Sequence, residues 1–370
     1  MLDRAFWVGR QVLVTGHTGF KGSWLSLWLE ALGSTVTGYA LDPPTLPNLY
    51  EHASVAKHVH SICADIRDFQ RLKSAVAECR PEVVIHLAAQ SVVRGGYQDP
   101  IETYSSNVMG TVHLLEALRQ QDRPCVLIIV TSDKCYDNRE WVWGYREDDP
   151  LGGHDPYSSS KACAELVTAA YRASFFPLDS FDGHRIAVAS ARAGNVIGGG
   201  DWARHQLIPD LVRAFLAGQE CLIRNPSAVR PWQFVLEPLR GYLMLAERLA
   251  AQGSCLAGAW NFGPAAEDAK PVSWIANELT RRLGGRASWR PDAVPHFSEA
   301  HILKLDTSKA TSQLGWRPIL PLNMALEWVV EWYRGFQEGA DLARLTRAQI
   351  ERYEALTVSH ADSENNATTN

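Results

Sequence analysis

The chain predicts an α/β protein: an open, doubly wound parallel sheet carrying a smaller, interwoven α/β substrate-binding lobe. Three stretches support this. Gln11-Val-Leu-Val-Thr15 runs into Gly16-His17-Thr18-Gly19-Phe20-Lys21-Gly22 and then into an apolar, helix-periodic run from Ser23 to Leu32. Strand, glycine loop and helix in that order let the backbone approach a pyrophosphate, with helix amides and the positive dipole end behind it. Gly16, Thr18, Gly19, Phe20, Lys21 and Gly22 are therefore candidate contacts for a dinucleotide. Next, Val126-Leu-Ile-Ile-Val130 is too short for a confident helix and rich in strand formers, so it reads as a buried parallel strand. Ser132, Asp133 and Lys134 follow its carboxyl end, where open α/β sheets place ligands. Finally, Tyr157 and Lys161 lie four apart at the start of a helical run to about Ser174, which puts phenol and ammonium on one face.

The remaining elements fall into place around these. Ser34–Leu41 is a second strand. Asp42 after it either holds an adenosine ribose hydroxyl or is a surface-loop acid displaced by Pro43-Pro44. A third strand closes at Asp65-Ile66-Arg67-Asp68, where Asp65 and Ile66 are candidates for the adenine side and Asp68 for a helix N-cap. Val83–Leu87 is the fourth strand. Leu87 ends it as a further candidate cofactor contact, and Ala88, Ala89 and Gln90 follow, small enough at the alanines for a ribose to lie close to the backbone. Val92-Val93-Arg94 and Tyr97 read as a loop ending at Asp99-Pro100, and Asn107 opens a helical run as a candidate brace for active-site backbone. Residues 137–155, rich in Trp, Gly, Asp and Pro, read as a functional loop or lid over the site because plain connections are shorter. Arg185–Ala191 is another strand, after which Arg192–Trp202 leaves the nucleotide-binding half. The expected boundaries are 1–191 plus 232–254 and 302–318 for that half, and 192–231 plus 255–301 and 319–356 for the lobe. Residues 357–370 form a polar, flexible tail.

Composition narrows the class. With 370 residues, 46% hydrophobic and 21% charged, the chain has the composition of an ordinary globular protein and the length for one large two-lobed unit or two domains. A net charge of −5 without a basic block argues against nucleic acid. No apolar run approaches the ~18 residues of a membrane span. Seven scattered cysteines with no CxxC pair point to reduced thiols in a cytoplasm and away from structural zinc, so no metal site is expected.

The glycine loop, the Ser132-Asp133 step and the Tyr157/Lys161 pair together resemble the extended short-chain dehydrogenases/reductases, specifically the NAD-dependent sugar epimerase/dehydratase family, whose nucleotide domain is Rossmann-like. Within it the chain is most similar to the CDP-glucose 4,6-dehydratases. The supporting segments are Thr131-Ser-Asp-Lys-Cys-Tyr136, Arg192-Ala-Gly-Asn-Val-Ile-Gly-Gly-Gly-Asp-Trp202, Arg230-Pro-Trp-Gln-Phe-Val-Leu-Glu-Pro238, Leu303-Lys-Leu-Asp306 and Leu314-Gly-Trp-Arg-Pro318, covering roughly residues 5–335. Two departures stand out. Lys134 occupies a position that is Glu in related dehydratases, and Phe234 occupies one that is usually His. The resemblance implies bound NAD, a nucleotide-diphospho-sugar substrate and a homodimer or dimer of dimers through the helices of the Asn107 and Tyr157 segments. It implies oxidation at C4, loss of water across C5 and C6, and reduction at C6, giving a 4-keto-6-deoxy sugar for surface polysaccharides such as O-antigen. Tyr157, with Ser132, would take the C4 hydroxyl proton; a neighbouring lysine, Lys161, favours the phenolate. Asp133 would be the acid for the leaving hydroxyl. Lys134 would be the base at C5, provided part of it is neutral, or an electrostatic stabiliser of the enolate. Gln90, Arg94, Asn195, Arg204 and Arg230 would bind substrate, arginine suiting diphosphate. Trp202, Trp232 and Trp260 either stack a pyrimidine or pack the core.

Other readings stay open from the sequence. A 4-epimerase or simple dehydrogenase needs Tyr157, Lys161 and NAD but no elimination pair. Asp133 and Lys134 as a mere solvent ion pair would leave a non-catalytic NAD-binding protein.

Overall fold

Cys125–Val130 (β5) is buried at every position, as a Val/Leu/Ile run must be when helices cover both faces of a parallel sheet. It lies third from one edge of a seven-stranded sheet. Its companions are Gln11–Thr15 (β1), Thr35–Ala40 (β2), His60–Cys63 (β3), Val83–His86 (β4), Ile186–Ala193 (β6) and the edge strand Gly258–Phe262. Across the sheet the order is edge strand, β6, β5, β4, β1, β2, β3, all parallel. The order reverses between β1 and β4, and the carboxyl ends there open a crevice of the kind that receives ligands in doubly wound sheets. The computed structural model describes residues 1–177, 185–285, 287–294 and 300–368.

The helix after the glycine loop begins at Phe20, not Ser23, so Lys21 and Gly22 belong to its first turn. It is apolar on nearly all sides, and Trp24, Leu25, Leu27, Trp28 and Leu29 are all buried. One side meets the sheet. Another is covered by the carboxyl-terminal helix Leu342–Thr368, through Trp28 Nε1 donating to Glu354 at 2.9 Å and the Arg347–Glu30 ion pair at 2.7 Å.

The smaller lobe is made of three two-stranded pairs: Val196–Ile197 with Gln233–Phe234, Val229–Pro231 with Ala269–Pro271, and Cys221–Ile223 with Trp289–Pro291. The helices Leu207–Leu216 and Val272–Leu283 accompany them.

Several boundaries differ from the sequence reading. Gly258–Phe262, assigned to the lobe, hydrogen bonds as the seventh strand of the large sheet. Residues 342–356, also assigned to the lobe, pack on the nucleotide half, because Trp28 and Glu30 supply their partners. The segment expected as a tail continues this helix to Thr368, and 369–370 lie outside the described residues. Parts of both halves at 178–184, 286 and 295–299 also lie outside them. Val93–Gln98 is a short helix rather than a loop; Asp99 then caps a second helix by accepting from Glu102 N, with Pro100 in its first turn.

Candidate active site

The glycine loop fits a pyrophosphate by its own geometry. Gly16 adopts φ +77°, and a Cβ there would lie 2.7 Å from Ala88 N. A Cβ on Gly22 would lie 2.1 Å from Gly16 O, so helix and loop meet at a distance only glycine permits. Gly19 caps the helix without any side-chain hydrogen bond, leaving the first-turn amides to an anion. Thr15 fixes the facing strand end, its hydroxyl accepting from Leu87 N and Ala88 N at 3.2 Å each. His17 turns away from the loop: Nε2 meets Ser61 Oγ at 2.7 Å, the ring lies against Gly38, and burial lowers its pKa to about 4, so it is neutral.

On the adenine side the structure separates the candidates. Asp42 is exposed and accepts a 3.4 Å hydrogen bond from Cys63 Sγ. The carboxylate of Asp65 is engaged by Arg67, which holds its pKa below the usual range. Asp68 is the N-cap of the next helix, accepting from Arg71 N, and Ile66 is buried against Gly110.

Asn107 is hydrogen bonded to the backbone beyond β4. Its Oδ1 accepts from Gln90 N at 2.8 Å, and its Nδ2 donates to Gln90 O at 3.0 Å and to Ser160 Oγ at 2.8 Å. One amide therefore ties the end of β4 to the helix Pro156–Phe175, whose N-cap is Asp155.

Tyr157 and Lys161 on that helix are buried, and face the turn that follows β5. Ser132 caps this turn, accepting from Lys134 N at 3.2 Å and donating to Asp133 Oδ1 at 3.0 Å. Its hydroxyl also lies near the Tyr157 phenol and works to lower the phenol's pKa. Asp133 is 3% exposed, and its Oδ2 has no hydrogen-bond partner among the described residues. Burial raises its pKa, against the opposing pull of Lys134, Ser132, Arg230 and Lys21. This carboxyl holds a proton more tightly than one in water. The solvent ion-pair reading of Asp133 therefore fails.

For Tyr157 the expectation is corrected. Burial, followed by the nearby carboxylates of Asp133 and Asp155, pushes the phenol well above its usual range, with only Ser132 pulling it down. Lys161 is itself lowered to about 8, by burial and by the charge of Lys21, and its Nζ donates to Val130 O at 3.4 Å. Lys21 is likewise lowered to about 8 by burial, while Asp133 and Asp201 oppose the shift.

A cavity adjoins this turn. Arg94, Lys134, Asn195, Arg224, Arg230 and Trp232 are among its lining residues, so Lys134 and Arg230, the cations beside Asp133, form part of its wall. Gln90 donates to Val92 O at 2.8 Å and so shapes the adjoining strand end. Arg204 is exposed and does not line the cavity; Arg224, which the sequence reading missed, does, and Arg224 Nη2 donates to His205 O. Trp202 packs on Tyr333 and Phe336, and Trp260 is fully buried, so both are core. Trp232 is mostly buried, with its indole donating to Lys270 O. Phe234 sits between the rings of Trp24 and Trp328, an apolar niche without polar work for a side chain.

The sequence reading also missed Glu165 and Arg192, whose side chains are buried and paired at 2.9 Å behind the turn. Two signals pointed to them. Glu165 lies one helical turn beyond Lys161, and Arg192 is the lone charge in the strand Ile186–Ala193, whose other residues are Ile, Val, Ala and Ser.

The family model for GDP-mannose 4,6 dehydratase matches residues 13–327. A CDP-glucose 4,6-dehydratase of Salmonella typhimurium is 53% identical over 357 residues, spanning 96% of this chain and 99% of the relative. Among solved structures, the UDP-glucose 4-epimerase of Brucella ovis in complex with NAD is 22% identical with a TM-score of 0.74, over 87% of this chain and 98% of that one. The Thermus thermophilus UDP-glucose 4-epimerase in complex with NAD is 24% identical with a TM-score of 0.74, over 88% and 99%. These two structures share the fold. On the family match and the Salmonella relative, this chain belongs to the GDP-mannose 4,6 dehydratase family, within the extended short-chain dehydrogenases/reductases.

Proposed function

We propose that this protein converts CDP-glucose to CDP-4-keto-6-deoxyglucose and water. The observation that carries the reading is Asp133: a buried carboxyl of raised proton affinity, hydrogen bonded by Ser132 near the Tyr157 phenol and flanked by two cations of a cavity wall. A 4-epimerase or dehydrogenase has no use for such an acid. The choice of CDP follows the Salmonella relative, a CDP-glucose 4,6-dehydratase. Incubation with CDP-glucose and catalytic NAD is expected to give a product lighter by one water. An isomer, or stoichiometric cofactor reduction, would overturn the reading.

The chain's residues divide the work. The uncapped helix start at Gly19, with Gly16, Thr18, Phe20, Lys21 and Gly22, holds the pyrophosphate of NAD. Asp42, Asp65 and Ile66 border its adenosine, and Leu87, Ala88 and Ala89, braced by Asn107, its other ribose. NAD, when bound, supplies reversible hydride exchange with the sugar, first at C4 and finally at C6. Tyr157 accepts the C4 hydroxyl proton only as the phenolate, a form that burial opposes and that the Ser132 hydroxyl, the Lys161 ammonium and the positive charge NAD would bring favour. The resulting ketone acidifies C5. Asp133 gives its proton to the C6 hydroxyl, which departs as water while the C5 proton passes to Lys134. Arg94, Asn195, Arg230 and Arg224 grip the nucleotide diphosphate; Gln90 borders the sugar. Arg204, an exposed side chain, joins them only if the cavity narrows around substrate.

Lys134 can accept a proton only when neutral; as an ammonium it would instead stabilise the enolate. Lys134→Met is expected to retain C4 oxidation and to abolish solvent-deuterium exchange at C5. Exchange that persists in the variant would remove Lys134 as the base.

The helices of the Asn107 and Tyr157 segments expose Ile101, Tyr104, Met109, Leu166 and Phe175, an apolar surface suited to a second copy of the chain. A homodimer, or a dimer of dimers, is expected by light scattering; a monomeric mass would refute it. Among the described residues no helix is long and apolar enough to cross a membrane. We place the enzyme in the cytoplasm, where nucleotide sugars and reduced thiols coexist.

A further inference from the structure

We propose that Glu165 and Arg192 are positioning residues, which hold the Ser132–Asp133–Lys134 turn in register with Tyr157 and couple its far end to the segment 136–147. The inference rests on the dehydratase reading above and assigns that site a supporting apparatus.

Tyr157, Lys161 and Glu165 follow one another at four-residue spacing along one face of the helix Pro156–Phe175. Glu165 reaches past the catalytic pair to the strands beneath. Its Oε1 accepts from Thr131 Oγ1, and its Oε2 accepts from Ser190 Oγ at 2.6 Å and from Arg192 Nη2 at 2.9 Å. Thr131 directly precedes Ser132, so this carboxylate ties the start of the turn to the helix bearing Tyr157.

Arg192 secures the other end. Its Nη1 donates to Tyr136 Oη at 2.8 Å and to Glu147 O at 2.9 Å, and the guanidinium lies 4.8 Å from the Tyr136 ring centroid. Tyr136 Oη donates in turn to Asn261 Oδ1 at 2.7 Å; Asn261 is the register partner of Arg192 on the edge strand. Asn261 N donates to Glu147 Oε1 at 2.9 Å, and its Nδ2 donates to Tyr145 O and Asp306 O. Residues 132–135 are thus suspended between two anchors, Thr131 and Tyr136.

A buried ion pair is a poor way to gain stability, since its desolvation cost rivals its attraction. What it supplies is direction: the planar guanidinium donates to three acceptors in fixed geometry. The two branches also serve different steps. The Thr131 branch sets Ser132 against Tyr157, the groups of oxidation. The Tyr136 branch sets the end of the turn beyond Asp133 and Lys134, the groups of elimination.

The test uses the full-length enzyme with NAD and CDP-glucose, comparing Arg192→Lys, Tyr136→Phe and their combination. Lysine keeps a cation near Glu165 but cannot reproduce the second nitrogen's bonds, and Tyr136→Phe removes a single hydroxyl. Each single variant is expected to keep the transient reduced-cofactor absorbance and the KM of wild type, while water loss slows by about 10–10²-fold, the effect of a small misplacement. The combination is expected to be no slower than Arg192→Lys alone, because both act through one contact. Equal loss of oxidation and elimination, a change confined to KM, or losses that multiply in the combination would overturn the proposal. A wild-type enzyme releasing no water would overturn the dehydratase reading itself, and with it the step these residues serve.

Discussion

Asp133→Asn is expected to oxidise CDP-glucose at C4 but to release water about 10²–10⁴-fold more slowly than wild type, the usual span for losing a general acid. Rapid mixing followed by reduced-cofactor absorbance and by product mass separates the two steps. The pH dependence carries a sign. Elimination needs Asp133 protonated, and burial raises its pKa above the usual carboxylate value of about 3.9. Wild-type elimination should therefore decline as pH rises through that raised value, and the decline should vanish in the Asn variant, which has no proton to lose. Stability moves the same way. A carboxyl whose folded pKa is raised stabilises the fold below its unfolded pKa, and that stabilisation is lost as pH rises through the folded pKa. At neutral pH wild type bears an ionised or costly buried acid that the amide lacks. The variant is thus expected to melt no lower than wild type, so slow water release could not be ascribed to unfolding. Loss of oxidation and elimination to the same degree would show that Asp133 does not act as the acid.

Local pattern made much of this site readable before any coordinates. The glycine loop announces itself because turn, strand and helix signals are contiguous, and the Ser-Asp-Lys step because it ends an unbroken apolar run. Asn107 was legible as a brace through its position beside a strand end. What pattern could not deliver were facts created by register. Glu165 and Arg192 are separated by 27 positions along the chain, and only the pairing of helix against strand brings them to 2.9 Å. Gly258-Ala-Trp-Asn-Phe262 is short and half-buried at its start, so nothing in it distinguishes an edge strand from a lobe segment. The environment of Tyr157 is hidden from the sequence for a related reason. Spacing puts a lysine one turn away, but burial, invisible in spacing, is the largest influence on both groups and raises the phenol's pKa.

The same buried pair sets the largest expected change in stability. Glu165→Ala leaves the Arg192 guanidinium, only 3% exposed, without its carboxylate, and breaking a buried pair from one side costs about 3–5 kcal/mol. That is a large share of the ~5–15 kcal/mol that holds a typical domain together, and denaturant unfolding would measure it directly. The sign with pH follows from the depressed folded pKa of Glu165, where burial works against the charge but Arg192 and hydrogen bonds from Arg192, Ser190 and Thr131 outweigh it. Its contribution is complete above the unfolded value of about 4.3 and is lost as pH falls through the folded value. The gap between wild type and variant should therefore narrow on acidification, since a protonated Glu165 strands Arg192 as alanine does. Replacing both partners by apolar residues, Glu165→Leu with Arg192→Met, separates stability from geometry. Such exchanges are often neutral or stabilising, so the double variant is expected to regain most of the lost stability while its water loss stays slow. A double variant that recovers both would reduce the pair to packing. A single variant costing under about 1 kcal/mol, the range of an exposed ion pair, would mean that the carboxylate never bore the guanidinium's charge.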